Sequence, residues 1–206
     1  SFPREGDSPG CAPVWDEKSF AAARLTQPQH LAFWEHVILV DHPRRDFLLE
    51  NMRGMKPSRF FRRFKGSFMG KDYDCDSPPS RKFQNNWPAG VTSTGETAPE
   101  WAWRNVQEGV GTGAIRLLGK VGEVDPPHVV LPLSVEMGKP RLITDARYVN
   151  LWCDPGPFTL DSVGQVPETF RRDGLLCNYD HKSGYHAFGF DESEQGYFGF
   201  CINGCY

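Results

Sequence analysis

The sequence predicts an α+β protein with its helices N-terminal and antiparallel strands C-terminal. Three observations carry this. Apolar residues recur at helical spacing between residues 30 and 52 and again after Thr97. The runs Val129-Val130-Leu131-Pro132-Leu133-Ser134-Val135 and Arg141-Leu142-Ile143-Thr144-Asp145 flank the turn Glu136-Met137-Gly138-Lys139 and read as a hairpin. Tyr197-Phe198-Gly199-Phe200-Cys201-Ile202 reads as a further strand, and the Asn203-Gly204 pair behind it is a type I′ hairpin signal.

With 206 residues the chain can bury one sizeable core or two small ones, and 39% hydrophobic against 24% charged content excludes wholesale disorder. A net charge of −3 means that nucleic-acid contact must rest on local positive patches rather than on the overall balance. The polar start Ser-Phe-Pro-Arg-Glu has no apolar core of a signal peptide, and no run approaches the roughly 18 apolar residues of a membrane span. Six scattered cysteines then read as reduced thiols, so the expectation is an intracellular protein of nucleus or cytoplasm, not secreted and without a membrane partner. Cys201 and Cys205 stand four apart with no second Cys or His pair at zinc-like spacing, which favours two thiols beside a turn over a metal site. The absence of an initial Met leads to the expectation that residue 1 is not the start of the gene product.

Residues 1–29 form an expected extended lead-in, rich at first in Pro and Gly. Residues 30–96 form an expected helical and loop region. Leu31, Trp34, Val37 and Ile38 give the spacing of a helix over 30–40. Asp41 with Pro43 opens a second helix through Phe47, Leu48 and Met52. Between 53 and 71 lie Arg53, Lys56, Arg59, Arg62, Arg63, Lys65 and Lys71 without one acid, interleaved with Phe60, Phe61, Phe64 and Phe68. Such a stretch suits a nucleic-acid backbone with aromatic support, or a packed helix with a solvated basic face. From Asp72 to Pro99 the breakers Pro78-Pro79, Asn85-Asn86 and Gly95 predict loop.

A third region is expected over 97–174. Thr97 caps a helix with Pro99 in its first turn, running through Trp103, Val106 and Val110 and on toward Leu117 unless it breaks among Gly109, Gly111 and Gly113. The hairpin over 129–145 follows and leads into Ala146-Arg147-Tyr148-Val149-Asn150. Asp161 then caps an expected helix through Val163, Val166 and Phe170 that Pro167 shortens. Residues 175–206 begin a last region. Its apolar run Leu175-Leu176-Cys177 reaches Asp180, and Lys182-Ser183-Gly184 turns the chain before Tyr185-His186. This sets a carboxylate at a strand end with an aromatic ring five residues on. A metal site and a turn-capping Asp both answer to that pattern.

Lys139-Pro140-Arg141-Leu142-Ile143-Thr144-Asp145-Ala146-Arg147-Tyr148-Val149-Asn150, followed by Asp180-His181-Lys182-Ser183-Gly184-Tyr185-His186 and by Tyr197-Phe198-Gly199-Phe200, resembles the reverse transcriptase domain of retroelements. The likeness is nearest to the tyrosine-recombinase (DIRS-type) retrotransposon branch and covers residues 97–206 best. It implies a fingers-like region over 97–174 and the incomplete start of a palm-like region over 175–206 of a right-hand polymerase, an RNA-directed DNA polymerase whose nucleotidyl transfer uses Mg²⁺ or Mn²⁺. By resemblance Asp180 is the first catalytic carboxylate and a metal ligand, and His181 ligates through its backbone carbonyl. Tyr185 excludes the ribose 2′-hydroxyl. Lys139 and Arg141 bind the triphosphate of the incoming deoxynucleotide, Arg through a fork that fits phosphate oxygens. Asp145, Arg147 and Asn150 contact the template strand, with a structural Asp–Arg pair as the equal alternative.

His181 departs from the family, which usually has an apolar residue there. The family also continues with a Tyr-x-Asp-Asp hairpin, so the 206 residues alone are expected to be inactive. The partners implied are an RNA or DNA template-primer and deoxynucleotides, with a further protein chain covering the strand over 197–202. Two other readings stand beside this one: a reverse-transcriptase-derived binding or scaffolding module without catalysis, and an unrelated α+β domain whose motifs coincide.

Overall fold

The computed structural model describes residues 35–36, 38–154, 156 and 189–206. The lead-in, most of the helix expected over 30–40, the helix from Asp161 and the strand ending at Asp180 lie outside the described residues, as do His181 and Tyr185. What is described is a mixed α/β structure with few helices and small sheets.

Helix α1 spans Arg45–Met52 and buries Leu49 and Met52. It begins two residues beyond Pro43, after a turn in which the Arg45 N–H donates to the His42 carbonyl at 3.0 Å, so Arg44 rather than Asp41 stands at its cap. A 3₁₀ turn over Pro57–Phe60 follows. Strands β1 (Phe64–Phe68) and β2 (Lys71–Cys75) then form an antiparallel hairpin. The basic stretch over 53–71 is therefore not a packed helix. Phe64 and Phe68, four apart, share a face at either the helical or the strand period, and the pairing of β1 with β2 across the turn at Met69-Gly70 selects the strand. Met69 and Gly70 both take positive φ, 49° and 73°, which fits the twist of a tight hairpin.

Strand β3 (Arg81–Lys82) and residues 72–75 of β2 lie in the stretch expected to be loop, and each is made a strand by a partner elsewhere in the chain. Helix α2 spans Ala98–Gly111, as its cap and first-turn proline predict. The Glu100 carboxylate accepts from the Thr97 N–H at 2.9 Å and from its hydroxyl at 2.7 Å. The helix ends in its glycines, and Leu117 lies exposed beyond it.

The apolar run 129–135 is two strands rather than one. Proline lacks the N–H a ladder needs, and at Pro132 the chain changes sheets. Strand β4 (Val129–Leu131) pairs with β3, while β5 (Leu133–Glu136) pairs with β6 (Arg141–Thr144) as the expected antiparallel hairpin. A one-turn helix α3 (Arg147–Asn150) follows. Near the C-terminal end, Tyr197 and Phe198 belong to a 3₁₀ turn over Gln195–Phe198, and strand β7 is only Gly199–Phe200. It runs parallel to β4, so the order β3-β4-β7 makes an all-parallel sheet where antiparallel strands were expected.

Asn203 and Gly204 have φ of 47° and 70°, and Ile202 and Cys205 exchange backbone bonds across them, as a type I′ turn requires. The returning backbone meets residues 118–121: the Tyr206 N–H donates to the Gly119 carbonyl at 2.9 Å and the Leu118 N–H to the Tyr206 carbonyl at 2.8 Å.

Two cores result. One joins α2 to β5 through Ala98, Trp101, Ala102, Val106, Leu133, Val135 and Ile202. The other gathers Tyr73, Val129, Leu131, Tyr148, Val149 and Trp152 beneath the β1–β2 hairpin. Burying one such large apolar side chain contributes roughly 2–3 kcal/mol. Among the described residues no helix is long and apolar enough to cross a membrane.

Candidate functional site

The β5–β6 hairpin presents the cations singled out in the sequence. Leu133 and Val135 turn into the core and Leu142 packs half-buried against it, which leaves Arg141 and Ile143 on the open face by strand alternation. Arg141 lies opposite Glu136 in the register, and its Nε is 3.9 Å from a Glu136 carboxylate oxygen, with both side chains more than half exposed. Contacts of that length in water are weak. Lys139 sits in the turn, exposed and, among the described residues, without an acidic partner. The hairpin tip therefore carries positive charge that is little neutralised.

Beyond β6 the backbone turns at Asp145, whose N–H donates to the Pro132 carbonyl at 3.0 Å. The Asp145 carboxylate accepts from the Arg147 backbone N–H at 3.0 Å and from its guanidinium at 2.6 and 2.9 Å. Those hydrogen bonds from Arg147 hold the Asp145 carboxyl below the usual carboxylate range, and burial offsets only part of the effect. The two form a local pair that fixes the start of α3, and the Arg147 side chain remains 77% exposed. Asn150 is exposed at the end of the same turn. Behind it Tyr148 is buried, and burial, then Tyr73, push its phenol above the usual range. Lys139, Arg141, Asp145, Arg147 and Asn150 thus lie on one continuous piece of chain, whereas Asp180, His181 and Tyr185 fall outside the described residues.

The basic stretch looks different once its partners are in place. Arg53 pairs with Glu35 at 2.5 Å, Lys56 with Asp191 at 3.4 Å, Arg59 with Glu50 at 2.5 Å, Arg62 with Asp154 at 3.8 Å and Arg63 with Asp74 at 2.7 Å. Lys65 also reaches Asp74, and Lys71 lies over the Tyr73 ring. Six of the seven cations thus face an acid from outside the segment, through solvent-exposed pairs that are individually weak but together occupy it. The stretch reads as a fastening for the chain around it.

Sequence reasoning missed Arg81. Its guanidinium lies within 6.0 Å of the ring centres of Phe68, Tyr73, Phe83 and Tyr148, closest to Phe83 at 4.8 Å. It donates to the Tyr73 hydroxyl, to the Phe68 carbonyl at 3.1 Å and to the Met69 carbonyl at 3.4 Å. An apolar cavity of about 610 Å³ was also unforeseen; Trp103, Val106, Ile115, Phe198, Phe200 and Tyr206 help line it, and none of the hairpin cations does. Among the described residues no group of three or more His, Cys, Asp or Glu side chains is arranged to hold a metal ion, and Cys75, Cys153, Cys201 and Cys205 are free thiols.

The chain matches no protein-family model, no curated protein and no solved structure.

Proposed function

We propose that the chain is the fingers-like and early palm-like part of an RNA-directed DNA polymerase of the retroelement type, and that the β5–β6 hairpin grips the triphosphate of an incoming deoxynucleotide. The observation that carries this is the hairpin tip, where exposed Lys139 has no acidic partner among the described residues and Arg141 has only a 3.9 Å contact to Glu136. An incoming phosphate takes Arg141 from that contact at little cost, because a charge-assisted, bidentate bond replaces a solvent-screened one. Arg147 is committed to Asp145, so its role is to hold the turn beneath the template side while Asn150 stays exposed at its end. The resemblance assigns Mg²⁺ or Mn²⁺ to Asp180 and His181, which lie outside the described residues.

Equilibrium binding of a deoxynucleoside triphosphate and of an RNA–DNA template-primer to the protein tests the reading. Arg141→Ala should weaken nucleotide binding roughly tenfold, the scale of one charge-assisted hydrogen bond, and leave the fold intact. Unchanged nucleotide affinity in that variant overturns the assignment. Template-primer binding with no nucleotide binding in the unaltered protein supports instead a reverse-transcriptase-derived module without catalysis.

A further inference from the structure

Residues 55–62 act as one strap across two distant parts of the chain. At one end Met55 bridges Phe190: its N–H donates to the Gly189 carbonyl at 2.9 Å, and the Asp191 N–H donates to the Met55 carbonyl at 3.0 Å. Lys56 pairs with Asp191 at 3.4 Å. Glu194 accepts from the Ser58 N–H at 2.9 Å and from the Ser58 hydroxyl at 2.5 Å. At the other end Phe61 bridges Cys153, the Arg62 N–H donates to the Trp152 carbonyl at 2.7 Å, and the Asp154 N–H donates to the Phe60 carbonyl at 3.0 Å. The strap thus holds residues 152–154 and 189–194 by separate sets of bonds.

Ser58 is the strap's sole hydroxyl residue, and it is exposed. Arg53 and Lys56 precede it, and Arg59, Arg62 and Arg63 follow. We propose that Ser58 is a phosphorylation site for a protein kinase that selects basic flanks, and that the modification detaches residues 189–194 from the strap while leaving 152–154 in place. The flanking cations hold their acids only through solvent-exposed pairs, so a kinase cleft lined with acids can take them over at little cost. The γ-phosphoryl group of ATP passes to Ser58 Oγ: the bond to the leaving ADP breaks, the new P–O bond forms, and the hydroxyl proton goes to the kinase's base.

The consequence follows from what faces Ser58. The hydroxyl ceases to be a donor, and a group of about −1.5 to −2 charge stands against the Glu194 carboxylate. Glu194 faces it from the C-terminal segment, while Asp191 and Glu50 act on the adjacent cations, Asp191 on Lys56 and Glu50 on Arg59. The phosphate repels Glu194 and competes with Asp191 for Lys56, so both side-chain anchors of 189–194 are loosened and the backbone bridge at Met55 is left to hold the segment alone. This stands independently of the polymerase reading.

The test is to incubate the native protein with ATP and a kinase that prefers Arg and Lys around its serine, locate the phosphate by mass spectrometry, and follow amide hydrogen exchange. Label on Ser58, absent in Ser58→Ala, is expected. The Met55 and Asp191 amides should then exchange about tenfold faster or more, the scale of one lost charge-assisted bond, while the Arg62 amide is unchanged. Glu194→Gln removes the like charge, so phosphorylation of that variant should accelerate exchange less. No label on Ser58, label without acceleration at Met55 and Asp191, equal acceleration at Arg62, or an equal effect in Glu194→Gln each overturns the proposal.

Discussion

Arg81 shows how a single side chain does what no apolar residue in its place can do. A planar fork with five donors reaches the Phe68 and Met69 carbonyls and the Tyr73 hydroxyl together, while its faces lie among four aromatic rings. Lysine supplies charge but not the fork. Arg81→Ala should therefore cost about 3 kcal/mol, from several hydrogen bonds to a charged group and cation–π contact, and Arg81→Lys about half of that. Chemical denaturation of the two variants checks it, and equal stabilities for Lys and Arg at this position would remove the fork from the account. None of this was legible beforehand. Arg81 follows a run of turn residues with no period, and its four rings come from β1, β2, residue 83 and α3. The placement of Lys139 in the turn and of Arg141 at the head of the returning strand was legible because a hairpin pattern fixes both. The cations over 53–71 were legible as charge but not as fastenings, since a count within the stretch does not show that Glu35, Glu50, Asp74, Asp154 and Asp191 fold against it.

Among the elements, those that declare their own ends were read best. Helix α2 carries its cap, its first-turn proline and its terminal glycines in the sequence, and the β5–β6 hairpin carries its turn. The elements misread are those whose partner decides them. The stretch over 53–71 has a spacing that two periods share, and only the pairing of β1 with β2 selects the strand. The run 129–135 is apolar throughout, so nothing local shows that β4 and β5 serve different sheets, although Pro132 marks where they part. Strand β7 was expected to be longer and to lie antiparallel; its parallel contact with β4 depends on close approach at Gly199. A Cβ there would stand 2.3 Å from Pro127 side-chain carbons and 3.2 Å from the Val129 carbonyl oxygen. Gly199→Ala should cost about 2–3 kcal/mol by overpacking. Gly196→Ala, whose Cβ would meet nothing nearer than His128 at 3.6 Å, should stay within about 0.5 kcal/mol. Thermal unfolding of the pair separates a backbone contact from a mere glycine effect; matching midpoints would mean that β7 can shift without loss.

At the scale of the molecule, the parallel sheet joins three remote parts of the chain: Arg81 pairs beside Val129, and Val130 beside Gly199. Phe198 and Tyr197 pack against the aromatic core and Ile202 completes the one around α2. A chain ended at residue 194 should therefore keep helix α2 and the β1–β2 hairpin yet lose fixed packing, seen as far-UV circular dichroism largely retained, near-UV signal lost and dye binding to exposed apolar surface. Retention of the near-UV signal would show that the two cores close without residues 195–206. The sheet also sets an order of events in the cell. Local pieces such as the hairpin can form as soon as they leave the ribosome, but the central strand β4 must wait with one edge unmatched until residue 200 has emerged. During that interval a row of unpaired amides and carbonyls borders Val129, Val130 and Leu131, side chains that end wholly enclosed. A nascent chain in that state is a natural client for chaperones, and its yield in expression should depend on their supply.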